Sequence, residues 1–146
     1  MKILLAGDHR GIELKEAAKI WLQENNIPYE DYGTDSRKSV DYPDFASRVA
    51  REVSGNPGEV LGILFCGTGF GMAIAANKIP GVRAVACDRE DQAALSREHN
   101  DTNVLTMGEL YVPPEKVPAL LKAWLQAKFM GGRHQRRVNK ISALEK

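Results

Sequence analysis

Runs of apolar residues alternate with amphipathic stretches from one end of the chain to the other. Lys2 to Ala6 is a short apolar run closed by Gly7, and it predicts a buried strand. From Ile12 to Leu22 the apolar residues Ile12, Leu14, Ala17, Ala18, Trp21 and Leu22 fall mostly at helical spacing. Pro28 to Tyr32, closed by Gly33, reads as a second strand. Asp41-Tyr42-Pro43 has the form of a helix start with an early proline, and that helix runs to about Val53 before Gly55-Asn56-Pro57-Gly58 breaks the chain. Val60 to Phe65 is almost wholly apolar, as suits a central parallel strand covered on both faces.

The alternation continues. A helix is expected over Phe70 to Lys78, a buried strand over Val82 to Ala86, and a helix over Glu90 to Glu98 with Ala93, Ala94 and Leu95 inward. Val104 to Met107 is a last short strand, Pro114 to Phe129 a long amphipathic helix, and Gln135 to Leu144 a final helix after Gly131-Gly132. Repeated strand–helix units imply an α/β fold with a mostly parallel sheet and helices on both faces. Ligands of such folds bind beyond the carboxyl ends of the strands.

Composition adds limits. The chain of 146 residues suits one domain, residues 1–146, and holds 43% hydrophobic and 27% charged residues. A net charge of +1 gives no global field that would favour nucleic acid or a membrane surface. No apolar run approaches the ~20 residues of a membrane span. The start carries no signal-peptide pattern, because Asp8, His9 and Arg10 follow the first apolar run at once. A reducing cytoplasm is therefore expected, with Cys66 and Cys87 unpaired. Neither lies in a CxxC or a histidine cluster, so no metal site is expected.

Two loops at predicted strand ends carry the candidate chemistry. Cys66-Gly67-Thr68-Gly69-Phe70-Gly71 leaves a strand and enters a helix with three alternating glycines. Such a loop lets a ligand touch the main chain and presents unpaired N–H groups to an anion or oxyanion; its plain alternative is a tight turn. A dinucleotide loop would need glycine at Met72, and a Walker loop would need lysine and a hydroxyl residue after Gly71. A cysteine at such a helix start gains thiolate character and becomes a usable base or nucleophile. The second loop, Gly7-Asp8-His9-Arg10-Gly11, lies at the same sheet edge, where Asp8 serves either hydroxyl binding or helix capping and His9 can move protons or hold phosphate.

The polar run His99-Asn100-Asp101-Thr102-Asn103 precedes a strand, so it lies at the sheet's amino edge, across from Cys66. One chain cannot readily bring His99 to Cys66. If both serve one site, a second subunit supplies one of them, which predicts a homodimer with active sites at its interface. Arg133 and Arg137 sit four residues apart on a helical face and suit phosphate oxygens.

Taken together, these stretches resemble the ribose-5-phosphate isomerase B family of the RpiB/LacAB sugar-phosphate isomerases. Asp41-Tyr42-Pro43, Ala75-Ala76-Asn77-Lys78, Gly81-Val82-Arg83-Ala84 and Gly131-Gly132-Arg133-His134 join the loops already named, in the expected order over nearly the whole chain. The resemblance implies a Rossmann-like three-layer α/β/α sandwich with five parallel strands, working as a dimer or dimer of dimers. It implies interconversion of ribose 5-phosphate and ribulose 5-phosphate, a step of pentose phosphate metabolism, without metal or other cofactor. In its terms Cys66 is the base that moves a proton between C1 and C2. The amides of Gly67, Gly69, Phe70 and Gly71 stabilise the enediolate. Thr68 and His99 open the furanose ring. Asp8, Tyr42 and Asn100 contact the sugar, and His9, Arg133 and Arg137 hold the phosphate.

One position departs from the family pattern. Members often carry arginine two residues after the glycine at Gly108, in the phosphate site; here Leu110 stands there, after Glu109. That leaves a six-carbon sugar phosphate of the allose or galactose type as the near alternative, although His99 favours the pentose branch. A non-catalytic phosphosugar-binding protein and a nucleotide-dependent oxidoreductase are the rival classes. The presence of Cys66, Thr68 and His99 weighs against the first, and Met72 against the second.

Overall fold

The computed structural model describes residues 1–145, so the final residue of the expected domain, Lys146, lies outside the described residues. Five strands form one parallel sheet: β1 (Lys2–Gly7), β2 (Tyr29–Asp31), β3 (Val60–Cys66), β4 (Ala84–Ala86) and β5 (Val104–Gly108). Their spatial order is β2-β1-β3-β5-β4, with Leu5 opposite Ile63 and Ile63 opposite Leu105. Six helices cover it: α1 (Ile12–Glu24), α2 (Tyr42–Gly55), α3 (Phe70–Ala76), α4 (Glu90–Asn100), α5 (Val117–Gln126) and α6 (Arg133–Ser142).

Strand alternation divides the core into two layers. Ile3, Leu5, Ile63, Phe65, Leu105 and Met107 face α1, α4 and α5, meeting Leu14, Leu22, Ala93, Leu120 and Trp124. Leu4, Ala6, Leu64, Cys66 and Val104 face α2 and α3, meeting Val49, Ala50, Met72 and Ala76. This is the Rossmann-like three-layer α/β/α sandwich, and it leaves Cys66 on the α2/α3 side of the central strand.

Several elements differ from their expected extent. The long helix from Pro114 to Phe129 is instead a 3-10 turn at Pro114–Lys116 followed by α5, which ends at Gln126. Pro118, in the first turn of α5, lacks an N–H, and its ring would crowd the carbonyl four residues back, so regular helix cannot run through it. Helix α3 stops at Ala76, short of Lys78, where the Asn77 side chain brackets Ala84: its Nδ2 donates to the Ala84 carbonyl at 2.9 Å and its Oδ1 accepts from the Ala84 N–H at 2.7 Å. Strand β4 covers only Ala84–Ala86 and is half-buried rather than buried, because it is the sheet's edge. Helix α6 begins at Arg133, earlier than Gln135, directly after Gly131 and Gly132 take positive φ values of 66° and 58°. On α4, Ala93 is buried, whereas Leu95 points outward and is 46% exposed. None of the helices of the described residues is long and apolar enough to cross a membrane.

Candidate active site

The carboxyl ends of β1, β3 and β5 converge on the glycine loop. Cys66 ends β3 with its side chain buried, and the Gly69 N–H donates to its Sγ at 3.1 Å. Gly69 adopts φ 84°, open to glycine at no steric cost, and its carbonyl accepts from Thr106 Oγ1 at 2.6 Å. The Thr68 hydroxyl oxygen accepts the Phe70 N–H at 3.1 Å, leaving its own O–H free to donate. Just beyond β5, the Glu109 N–H donates to the Cys66 carbonyl and the Leu110 N–H to the Gly67 carbonyl, both at 3.0 Å. The loop is thus held by its neighbours and needs little reorganisation to receive charge.

Asp8 and His9 sit beside it. Asp8 is buried, yet it does not cap α1; the cap position is Gly11, and Asp8 Oδ1 accepts the Arg10 N–H at 2.9 Å in a local turn. His9 Nδ1 accepts the Val40 N–H at 3.3 Å, which fixes the ring and leaves Nε2 without a protein partner among the described residues. Tyr42, the first residue of α2, packs against the glycine loop: a Cβ on Gly71 would lie 2.4 Å from its ring. Asp8, His9, Tyr42, Cys66, Thr68 and the amides of residues 67–71 therefore share one edge of the sheet.

His99, Asn100, Arg133 and Arg137 do not join them. His99 and Asn100 end α4, and the chain then enters β5 at Val104, opposite Gly62 near the start of β3. Cys66 lies four residue steps along the strand from Gly62, roughly 13 Å at ~3.3 Å per residue. The polar run splits in purpose. Asp101 turns the chain at φ 48°, Thr102 Oγ1 accepts the Trp124 Nε1–H at 3.0 Å, and Asn103 bonds Arg83 and Gly81 through its side chain. Only His99 and Asn100 remain for a ligand. The Met130 N–H donates to the Glu98 carbonyl, docking the chain so that His134 of α6 stacks on His99. Arg133 and Arg137, one helical turn apart, are exposed beside that stack.

Two features escaped the sequence pattern. Arg10 pairs with Glu109 across Gly67, its Nε donating to Oε1 at 2.8 Å; only its place beside His9 hinted at this. Lys15, on the amphipathic helix α1, is fully buried instead of solvated, and its Nζ donates to Asp31 Oδ1 at 2.9 Å and to the Thr34 carbonyl at 2.7 Å. Glu16, Asp31 and Asp35 lie close enough together to share a cation, but each is already paired with Lys15 or Lys19. Burial pushes the Cys87 thiol up to about 12, which suits a structural cysteine and not a nucleophile.

Fold and loop define a Rossmann-like parallel α/β protein with a buried thiol set in a glycine-rich loop. Comparison with known proteins carries this further. The family model described as Ribose/Galactose Isomerase matches residues 3–141. Ribose-5-phosphate isomerase B of Escherichia coli (strain K12) is 49% identical over 145 residues, 99% of this chain and 96% of that protein. The putative sugar phosphate isomerase YwlF of Bacillus subtilis (strain 168) is 46% identical over 147 residues, 99% of this chain and 97% of the other. Among solved structures, ribose-5-phosphate isomerase B of Clostridium thermocellum superposes with a TM-score of 0.94 at 45% identity, covering 99% of this chain and 97% of that one. The Mycoplasma genitalium enzyme with bound ribulose-5-phosphate gives 0.94 at 40% identity, covering 98% and 95%. The chain belongs to the ribose/galactose isomerase family.

Proposed function

We propose that this chain, as one domain spanning residues 1–146, interconverts ribose 5-phosphate and ribulose 5-phosphate by proton transfer through an enediolate. The observation that carries the reading is the buried Cys66 sulfur held by the Gly69 amide within the glycine-rich loop, in a chain whose relatives are named for this isomerisation. The proton on C2 of an open-chain aldose is weakly acidic, so the main cost is the negative charge that develops on the C1 oxygen. The amides of Gly67 and Gly71 offset that charge, joined by those of Gly69 and Phe70 once they turn from the Cys66 sulfur and the Thr68 hydroxyl to the substrate oxygen. The Cys66 thiolate takes the C2 proton and returns it to C1, while the O2 proton passes to O1.

Ring opening comes first. Thr68 has an O–H free to donate toward the ring oxygen, and His99 exchanges the anomeric proton. Asp8, Tyr42 and Asn100 hold the sugar; His9, Arg133 and Arg137 hold the phosphate. Because His99 and the two arginines lie at the opposite sheet edge, the site is completed by a second subunit, in a homodimer or a dimer of dimers. The exposed apolar residues Phe70, Ile74, Leu110 and Tyr111 around the Cys66 loop support this, since such a patch calls for a covering partner. Sulfur chemistry of this kind suits a reducing cytoplasm. The reaction needs no cofactor, nucleic acid or membrane.

A six-carbon sugar phosphate is the second reading, favoured by the uncharged Leu110. The deciding experiment is ribulose 5-phosphate formation from ribose 5-phosphate with and without EDTA, beside Cys66→Ala. Turnover should survive EDTA and fall about 10²–10⁴-fold in Cys66→Ala. Failure of the unmodified protein on pentose phosphate, with turnover of allose 6-phosphate, would establish the second reading; failure on both would leave a phosphosugar-binding protein.

A further inference from the structure

The three loops around Cys66, namely residues 7–11, 66–71 and 108–111, contain two acids, Asp8 and Glu109, and one permanent cation, Arg10. A substrate carrying a phosphate dianion must therefore approach this half of the site against two carboxylates with a single fixed charge to receive it. Leu110, 58% exposed, brings none.

Arg10 is placed to do this. Its Nε donates to Glu109 Oε1 at 2.8 Å, which anchors one edge of the guanidinium. Its Nη1 and Cζ lie 2.6 and 2.9 Å from where a Cβ on residue 67 would stand, so the group rests on the bare glycine. Neither Nη1 nor Nη2 has a hydrogen-bond partner among the described residues, and the side chain is 43% exposed. A guanidinium fixed at Nε and open at both Nη groups presents the fork that two oxygens of a phosphate accept. Anchoring it in advance lowers the entropy lost on binding. The neighbouring His9 has its own free Nε2 on the same loop.

We propose that Arg10 is a ligand of the substrate's phosphate group, contributed by the subunit that contributes Cys66. The assignment rests on the sugar-phosphate reading above. It places cations on both halves of the divided site, with Arg10 on one and Arg133 and Arg137 on the other. It also removes the reason for looking beyond pentose phosphates on account of Leu110.

The test uses the intact protein with Arg10→Ala, Arg10→Lys and Glu109→Gln, and Arg51→Ala on the exposed face of α2 as a charge control. KM and kcat are measured with ribose 5-phosphate, and binding of inorganic phosphate is measured directly by calorimetry. Arg10→Ala should raise KM and weaken inorganic phosphate by about tenfold, with kcat changed far less. Arg10→Lys should recover part of the loss, and Glu109→Gln should leave phosphate binding as strong or stronger. A fall in kcat with KM and phosphate binding unchanged would overturn the assignment and move Arg10 to the enediolate. Glu109→Gln reproducing the Arg10→Ala defect would overturn it too, by making the pair a staple between loops. Phosphate binding needs no turnover, so an unmodified protein inactive on ribose 5-phosphate would refute the ribose 5-phosphate reading while the calorimetry still decided the role of Arg10.

Discussion

The imidazoles of His99 and His134 lie face to face, ring centroids 4.3 Å apart and planes 8° from parallel. Burial, then the neighbouring His99, Arg133 and Arg137, hold His134 below the ordinary imidazole value of 6.5. Its Nε2 is buried with no partner among the described residues. An unfolded histidine takes up its proton near that ordinary value, before the folded one does, so stability rises with pH across the interval. Thermal stability should therefore drop as pH falls from about 7.5 to about 5, and His134→Phe, which keeps a stacked ring without a titrating nitrogen, should flatten that drop. Tm measured against pH for both proteins checks it; parallel curves would remove His134 as the cause.

Cys66 and His99 belong to opposite edges of one sheet, so a shared site requires two chains. Cys66→Ala and His99→Ala are each expected to be nearly inactive alone. Unfolded together and refolded as a mixture, they should regain about a quarter of wild-type activity, because half of random dimers are mixed and each has one intact site of two. No regain, with mixed dimers verified by mass, would place both residues in separate sites.

Tyr42 fills the space where Gly71 lacks a side chain. A Cβ at position 71 would stand 2.4 to 2.7 Å from three atoms of the phenol. Gly71→Ala should therefore push Tyr42 off the loop and raise KM several-fold. Tyr42→Ala in the same protein should not add its full separate cost, since the two changes act through one contact. Steady-state kinetics on the two single variants and the double variant measure the coupling.

Lys15 ties α1 to the loop that follows β2. Although burial raises the Asp31 carboxyl, bonds from Lys15, the Gly33 N–H and Lys19 hold it below its ordinary value of 3.8. Its contribution to stability is thus present above that pH and fades as pH falls below it. Lys15→Met removes the buried partner and should cost about 3 kcal/mol in urea unfolding at neutral pH. A change below about 1 kcal/mol would show that Lys19 and Gly33 suffice.

The amino-acid sequence by itself determined the alternation of strands and helices, the parallel class of the sheet and the loop at Cys66–Gly71. These follow from local causes: apolar runs too continuous for a half-exposed strand, helical spacing, and glycines where a side chain would block the turn. It also placed Cys66 and His99 at opposite sheet edges, because strand direction in a parallel sheet follows from chain order. Tertiary structure alone decided the rest. The order β2-β1-β3-β5-β4 makes β4 a half-buried edge, which its apolar residues did not reveal. Lys15 is buried because Asp31 and the Thr34 carbonyl, distant in sequence, converge on its ammonium group. Arg10 meets Glu109 over Gly67 only because β1 and β5 flank β3. The Arg10–Glu109 pairing crosses ninety-nine residues of chain and leaves no periodic trace in it, since it depends on which strands become neighbours and not on what any one segment prefers.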